Sequence, residues 1–190
     1  PENMSLYLTT IQKFKPKCIY GYASSIELLV KYARQTNRQL SLPDLKVVCT
    51  TGEPLYPEQR QLISDFFNVP VANEFGSRDI GFTAHENKHQ QMLLMSESIF
   101  LEVLDQDNNP VSPGETGEAV MTGLYSEAQP FIRYRTGDMI KLSANPDKSG
   151  TGLHVIEKVI GRNTDFLIHE NGSIVHALAA IYILRETIGI

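Results

Sequence analysis

The sequence predicts an α/β protein: a parallel-sheet α/β lobe, then an antiparallel distorted barrel, then the beginning of a small α+β C-terminal domain. Three observations predict it. Short apolar runs alternate with amphipathic helical runs as far as residue 90. Beyond that, strand-like runs follow one another with turn residues between them. A helical pattern returns only near the end, after an Asn-Gly turn. Strand–helix–strand order with short links favours parallel pairing, and strand after strand favours antiparallel pairing. The expected division is residues 1–90, 91–162 and 163–190.

Residues 5–14 carry Leu6, Tyr7, Ile11 and Phe14 at helical spacing and stop before Pro16. Residues 18–21 read as a short buried strand. Ser24, with Glu27 three residues on, spells a capping box for a helix through Ile26, Leu29, Val30 and Ala33. Residues 45–49 make a second strand, running into Thr50-Thr51-Gly52-Glu53-Pro54. Pro57 suits a first helical turn, with Leu62, Ile63, Phe66 and Phe67 as the core face. Residues 69–72 make the third strand. In the second part, residues 92–94, 99–104, 118–122, 131–134, 139–142 and 153–159 read as strands. Asp107-Asn108-Asn109-Pro110 and Ser112-Pro113-Gly114 are turn material. Residues 166–169 and 173–176 flank Glu170-Asn171-Gly172, a hairpin signal, and a helix follows over 177–185.

Composition narrows the class. At 190 residues and 42% hydrophobic content, the chain supports one core, or one core and a smaller lobe. A net charge of -5 gives no long-range pull on nucleic acid or an anionic membrane. No apolar run approaches the ~20 residues of a membrane span. The opening Pro1-Glu2-Asn3-Met4 lacks a signal-peptide pattern, so a cytoplasmic setting is expected. The chain starts at Pro1 and stops soon after an apolar helical pattern, and both ends are expected to be cuts in a longer protein. Cys18 and Cys49 are far apart in sequence and are expected to be buried apolar thiols in a reducing compartment. His85 and His89 stand four apart, but Asn87 and Lys88 read as a turn and no third ligand is near, so zinc is not favoured.

Five loops at strand ends could carry chemistry, because ligands of open parallel sheets bind at the carboxyl ends of strands. Tyr20-Gly21-Tyr22-Ala23-Ser24-Ser25 leads into a helix start that could receive a carboxylate, or it is a plain capped helix. In 50–54, Gly52 allows the backbone close to a flat ligand; otherwise this is a strand-to-helix turn. Asn73-Glu74-Phe75-Gly76-Ser77-Arg78-Asp79 offers an amide for a base edge, a ring to stack on it and a carboxylate for Mg²⁺; otherwise it is a polar loop. Asp138, in Thr136-Gly137-Asp138, reads as the tip of a tight turn between two strands, able to accept both hydroxyls of a ribose. Arg133 and Arg135 alternate on one face there, with Tyr134 on the other. Gly161-Arg162-Asn163-Thr164-Asp165 brings an arginine towards a ribose or phosphate, and puts Asp165 at a possible hinge; its plain reading is a capped element start.

The order of these loops resembles the adenylate-forming superfamily, and within it the phenylacetate–coenzyme A ligase family with its capsular-polysaccharide-biosynthesis relatives. Residues 73–81 (NEFGSRDIG), 110–124 (PVSPGETGEAVMTGL), 130–138 (PFIRYRTGD) and 159–172 (VIGRNTDFLIHENG) carry the resemblance, which covers nearly the whole chain. It implies an ATP-dependent acid–thiol ligase that makes an acyl-adenylate from a small carboxylic acid. The implied cofactors are ATP/AMP, Mg²⁺ and coenzyme A. It implies that Gly52, Glu53 and Pro54 line the adenine site, that Asn73 meets the adenine edge, and that Phe75, followed by Gly76, stacks on the ring. Ser77 and Arg78 would contact phosphate or the acyl carboxylate. Asp79 would be the Mg²⁺-linked acid, where the family usually has the longer Glu. Asp138 would hold the ribose with Arg162 beside it, Asp165 would be the hinge, and Tyr20, Tyr22 and Ser24 would line part of the acid pocket. The family's phosphate loop lies upstream of this chain and its catalytic lysine downstream. The alternative is a catalytically inactive member of the fold that binds a ligand or partner.

Overall fold

The computed structural model describes residues 3–162, together with the backbone of 166–168 and 174–176. The chain divides into two compact units, Pro1–Leu93 and Leu94–Ile190. Each is built around its own strands.

The first unit begins with α1 (Met4–Phe14), which stops at Lys15 in the left-handed region (φ 53°), before Pro16. Strand β1 (Cys18–Gly21) follows, then α2 (Ala23–Gln35), β2 (Val47–Thr50), α3 (Pro57–Phe67) and β3 (Val71–Ser77). Strands β1, β2 and β3 pair in parallel, with Tyr20 opposite Cys49 and Thr50 opposite Asn73. Pro57 opens α3, where its missing N–H is no loss, and Asn68 (φ 52°) closes it. The apolar stripe of α2 works as its spacing requires: Ile26 and Val30 pack with Val48, Ile63 and Val71, while Leu29 and Ala33 pack with Leu8 of α1. Arg38 and Gln12 complete the α1 contact, because Gln12 and Ser41 exchange two hydrogen bonds (2.9 and 2.8 Å) and Arg38 donates to Ser5 and Thr9.

Three details depart from the sequence expectation. Strand β1 is not buried: its residues alternate exposed and half-buried. Ser24 is not the cap of α2, and no capping box with Glu27 forms; the N-cap is Tyr22, and Glu27 instead pairs with Lys31 (2.7 Å) and accepts from Gln59 (2.7 Å). The chain after Ala72 does not leave the sheet as a loop. It continues as β3 to Ser77 and turns into β4 (Gly81–Glu86), antiparallel to β3. Strand β4 was invisible in the sequence, where only Thr83 and Ala84 are buried and Gly81 and the polar His85-Glu86 flank them. His85 therefore lies on a strand, not on a helix that would turn it towards His89.

Glu86 locks this arrangement. Its carboxylate accepts two hydrogen bonds from the Arg60 guanidinium (2.7 and 2.8 Å) and one from the Asn73 backbone N–H (2.7 Å). Helix α3, β3 and β4 are thereby tied at one point.

Strand β5 (Met92–Leu94) lies where the units divide. The second unit is an antiparallel meander of β6 (Ile99–Leu104), β7 (Thr116–Gly123), β8 (Tyr134–Leu142) and β9 (Val155–Arg162), in the order β9-β8-β7-β6. Val103, Leu104, Ala119, Val120, Met121, Ile140, Val155 and Ile156 are buried in it. The expected pair of strands 131–134 and 139–142 is instead one long strand, β8, beginning at Tyr134. Strands β10 (Phe166–Ile168) and β11 (Ile174–His176) pair antiparallel, as the Asn-Gly signal predicts. The turn between them, the helix expected over 177–185, Asn163 and Asp165 lie outside the described residues. Among the described residues, no helix is long and apolar enough to cross a membrane.

The loop after β8 is held by Asp147. Its carboxylate accepts from the Thr151 hydroxyl (2.6 Å), the Ser149 N–H (2.7 Å) and the Thr151 N–H (2.7 Å). The Thr151 hydroxyl, then the Ser149 backbone, hold its pKa down at about 2.

Two outcomes follow for stability. Arg60→Ala leaves the Glu86 carboxylate half-buried without its partner and is expected to lower the unfolding free energy by about 3 kcal/mol, read from urea denaturation; an unchanged midpoint contradicts this role. Asp147 has a depressed folded pKa, so its contribution is complete above its unfolded value near about 4 and is lost as pH falls towards 2. The NMR titration midpoint of the Asp147 carboxyl is expected near about 2, and the wild type should lose more stability than Asp147→Asn between pH 5 and 2.

Candidate functional site

The first unit gathers polar groups at the carboxyl ends of its parallel strands. Thr51 N–H donates to the Gly21 carbonyl (3.1 Å), closing the ends of β1 and β2 together. Gly52 has φ 75°, and a Cβ added there would stand 2.6 Å from Tyr22 Cε1. The glycine is thus required both by its backbone and by the ring packed against it. Glu53 reaches back to the start of α2, where its carboxylate accepts from the Ser24 N–H, in a very short contact, and from the Ser24 hydroxyl (3.1 Å). An acid near the N-terminus of a helix satisfies an orphan donor and meets the positive end of the helix dipole. Glu53 and Ser24 therefore engage one another.

Glu74, between Asn73 and Phe75 on β3, forms a second polar node. Its Oε1 accepts from the Tyr20 hydroxyl (2.9 Å) and the Thr51 hydroxyl (3.0 Å), so one carboxylate spans β1, β2 and β3. Beside it the Asn73 side-chain oxygen accepts from the fully buried Thr50 hydroxyl (2.9 Å). That bond engages the amide oxygen with a buried hydroxyl of the neighbouring strand. Tyr20 and Tyr22 are more than half exposed, at 60% and 56%. Neither Glu74 nor Thr51 stood out in the sequence; the signal was Tyr20, whose strand-end position demands a partner for its hydroxyl.

Residues 73–79 are not one loop. Asn73 to Ser77 lie in β3, which shifts register between Phe75 and Gly76, and a Cβ at Gly76 would meet the Gly81 carbonyl at 2.5 Å. The Ser77 hydroxyl accepts from the Ile80 N–H (3.1 Å), closing the turn. Arg78 and Asp79 are exposed on that turn.

The thiols also depart from expectation. Cys18 is exposed and Cys49 half-buried, and their sulfurs are 3.9 Å apart. Burial pushes the Cys49 thiol up to about 11, with Cys18 and Glu74 adding to the shift.

In the second unit Asp138 is not a hairpin tip. It lies inside β8, at a bulge. Glu118 pairs with Met139 and Val120 with Arg135, so Thr136, Gly137 and Asp138 together stand opposite the single residue Ala119. Gly137 supplies the positive φ, 77°, that the bulge requires. The Thr136 hydroxyl accepts from the Asp138 N–H (3.2 Å). Across β9, Asp138 pairs with Arg162, with Arg162 Nε 4.0 Å from the carboxylate. The Asp138 side chain is 14% exposed and that of Arg162 is 66% exposed. Arg133 and Arg135 are taken up by carboxylates of their own sheet: Arg133 by Glu102 (3.0 Å), and Arg135 by Glu118 in a very short contact.

Gly52→Ala combines a left-handed backbone with a clash against Tyr22. It is expected to lower stability by about 1–2 kcal/mol, visible in thermal melts; Tyr22→Ala combined with it should recover part of the loss.

No family model matches the chain. It is 37% identical over 164 residues to phenylacetate–coenzyme A ligase of Escherichia coli (strain K12), covering 83% of this chain and 37% of that protein. It is 28% identical over 167 residues to Protein CapK of Staphylococcus aureus, covering 87% of this chain and 36% of that protein. The chain thus spans little more than a third of the length of these relatives. Among solved structures, 2-hydroxyisobutyryl-CoA ligase in the postadenylation state superposes with a TM-score of 0.85 at 22% identity, over 100% of this chain and 41% of that one. The anthranilate CoA ligase AuaEII, in complex with anthranoyl-AMP, matches with a TM-score of 0.67 at 16% identity, over 91% and 34%. Over more than four fifths of its length the chain is thus similar to phenylacetate–coenzyme A ligases and to CapK, and it has the fold of the acyl-CoA ligases.

Proposed function

We propose that this chain is the nucleotide-anchoring part of an ATP-dependent ligase that activates a carboxylic acid as its acyl-adenylate and passes it to the thiol of coenzyme A. The observation that carries the reading is the 37% identity to a phenylacetate–coenzyme A ligase across 83% of the chain. In such a reaction the acid's oxygen attacks the α-phosphorus, pyrophosphate leaves, and the thiol then displaces AMP from the acyl carbon. The protein positions the reactants and stabilises charge.

The chain's own groups suit the anchoring half. Phe75 stacks on adenine at the β3 bulge, Asn73 meets its edge, and Gly52, Glu53, Pro54 and Gly76 stand around the ring. Asp138, a carboxylate held low in exposure by its bulge, accepts the ribose hydroxyls, and Arg162 across the β8–β9 pair steadies it. Ser77 and Arg78 contact phosphate or the acyl carboxylate. Tyr20, Tyr22 and Ser24 face the acid.

Mg²⁺ commonly takes one or two carboxylates and completes its shell with phosphate oxygens and water. A single exposed carboxylate on a turn, Asp79, fits that demand. Asp79 would hold the ion, which would supply charge neutralisation at the phosphates. Asp165 serves as the hinge between the two half-reactions. ATP and coenzyme A make the cytoplasm the natural setting, and the resemblance to capsular-polysaccharide-biosynthesis proteins extends the proposal to that role. A second reading, a non-catalytic ligand-binding member, rests on Asp79 itself, which is one methylene shorter than the glutamate usual in the family.

Calorimetry with ATP and with AMP tests the anchor. Asp138→Ala is expected to weaken nucleotide binding by about tenfold or more, the loss of a charge-assisted pair of hydrogen bonds; an unchanged affinity removes its ribose role. Pyrophosphate exchange by the protein carrying the phosphate loop and the lysine separates the two readings. Exchange that depends on an added acid supports the ligase, and nucleotide binding without exchange supports the silent relative.

A further inference from the structure

The nucleotide reading makes no use of Cys18 and Cys49. They are thirty-one residues apart in sequence, yet the parallel pairing of β1 and β2 brings them side by side. Cys18 is opposite Val47 and Cys49 is opposite Tyr20, so the two thiols lie on a diagonal of the same ladder. Both fall on one face, because the diagonal step is two residues on each strand. Their sulfurs are 3.9 Å apart, and the Cys18 thiol donates to Cys49 Sγ. Cys18 is open to solvent and Cys49 half-open.

Two outcomes are chemically available to such a pair. A disulfide is the poorer one. Strands about 4.8 Å apart and a two-residue step of about 6.6 Å place the α-carbons about 8 Å apart, beyond the ~7 Å that a disulfide tolerates without backbone movement. A metal bridge needs no such movement. Two thiolates on one tetrahedral ion, each at about 2.3 Å, stand about 3.8 Å apart. That is the spacing already present. Soft thiolates select soft cations over Mg²⁺ or Ca²⁺.

We propose that Cys18 and Cys49 form a two-thiolate chelating site for a soft thiophilic metal ion on the β1–β2 ladder. Among the described residues no group of three or more His, Cys, Asp or Glu is placed to hold a metal, so the remaining coordination positions belong to water or to a ligand the ion brings with it. Binding forms two metal–sulfur bonds and releases the two thiol protons to solvent; nothing is oxidised or reduced. The site sits directly before Thr50 and Thr51, whose hydroxyls hold Asn73 and Glu74. An ion there stiffens the same strand ends that carry the polar nodes.

The test is titration of the phosphine-reduced, metal-free chain with Cd²⁺, followed by calorimetry and by ultraviolet thiolate-to-metal charge-transfer absorption. The expected result is one Cd²⁺ per chain, with at least tenfold weaker binding and loss of the absorption band in both Cys18→Ser and Cys49→Ser. No band in the wild type, or either single variant binding as tightly as wild type, overturns the proposal. A Cys18–Cys49 disulfide forming in air while the reduced chain takes up no Cd²⁺ also overturns it. Should a serine variant fail to fold, alkylation of the exposed Cys18 in the folded wild type replaces it. Alkylation should abolish Cd²⁺ uptake, and unchanged uptake overturns the proposal.

Discussion

Strand β3 must satisfy two kinds of neighbour at once, and the first unit depends on how it does so. Its opening residues pair in parallel with β2, and its later ones pair antiparallel with β4. At the changeover, the Asn73 N–H lies just beyond the Glu74–His85 rung, on the Glu86 side. A strand donor left without a partner costs about as much as a lost hydrogen bond. Here Glu86 turns its carboxylate inward to accept that N–H, and Arg60 of α3 neutralises the carboxylate. One carboxylate thus completes the ladder, fixes β4 and docks a helix. The polar residues of β3 take their positions from that tie.

The same economy recurs at the strand ends. Glu53 and Glu74 each serve two donors, and each joins segments far apart in sequence. Glu53 compensates the start of α2, which has no side-chain cap of its own. Glu74 ties the ends of three strands. Carboxylates in such roles hold strand and helix ends in place. Tyr20, Tyr22, Arg78 and Asp79 stand exposed on the same unit.

Asp138 shows how a residue singled out by its sequence neighbours can sit in a different backbone from the one those neighbours suggest. Thr-Gly-Asp between two apolar runs reads as a hairpin tip, because glycine and aspartate usually end strands. In the structure those residues are absorbed as a bulge opposite Ala119, and β8 runs through. The consequence for chemistry is large. A tip would be solvated and mobile, whereas the bulge leaves the Asp138 side chain 14% exposed and pairs it with Arg162 on β9. Spacing placed both residues only in separate candidate loops, and the resemblance alone set them side by side; the β8–β9 register is the physical reason they are neighbours.

The amino-acid sequence alone determined what depends on local periodicity. The amphipathic stripe of α2, the proline opening α3, strands β5 to β7 and the β10–β11 pairing followed from spacing and turn chemistry, which act over a few residues. The likeness to the ligases came from the motifs and their order. What it could not determine was each contact made across strands. Strand β4 carries too little apolar signal to announce itself, the Glu53–Ser24 cap replaces a local capping box that the letters spell, and the Cys18–Cys49 pair exists only through β1–β2 register. Those contacts join residues tens of positions apart, and their energies are gained only once the sheet has set the distance between them.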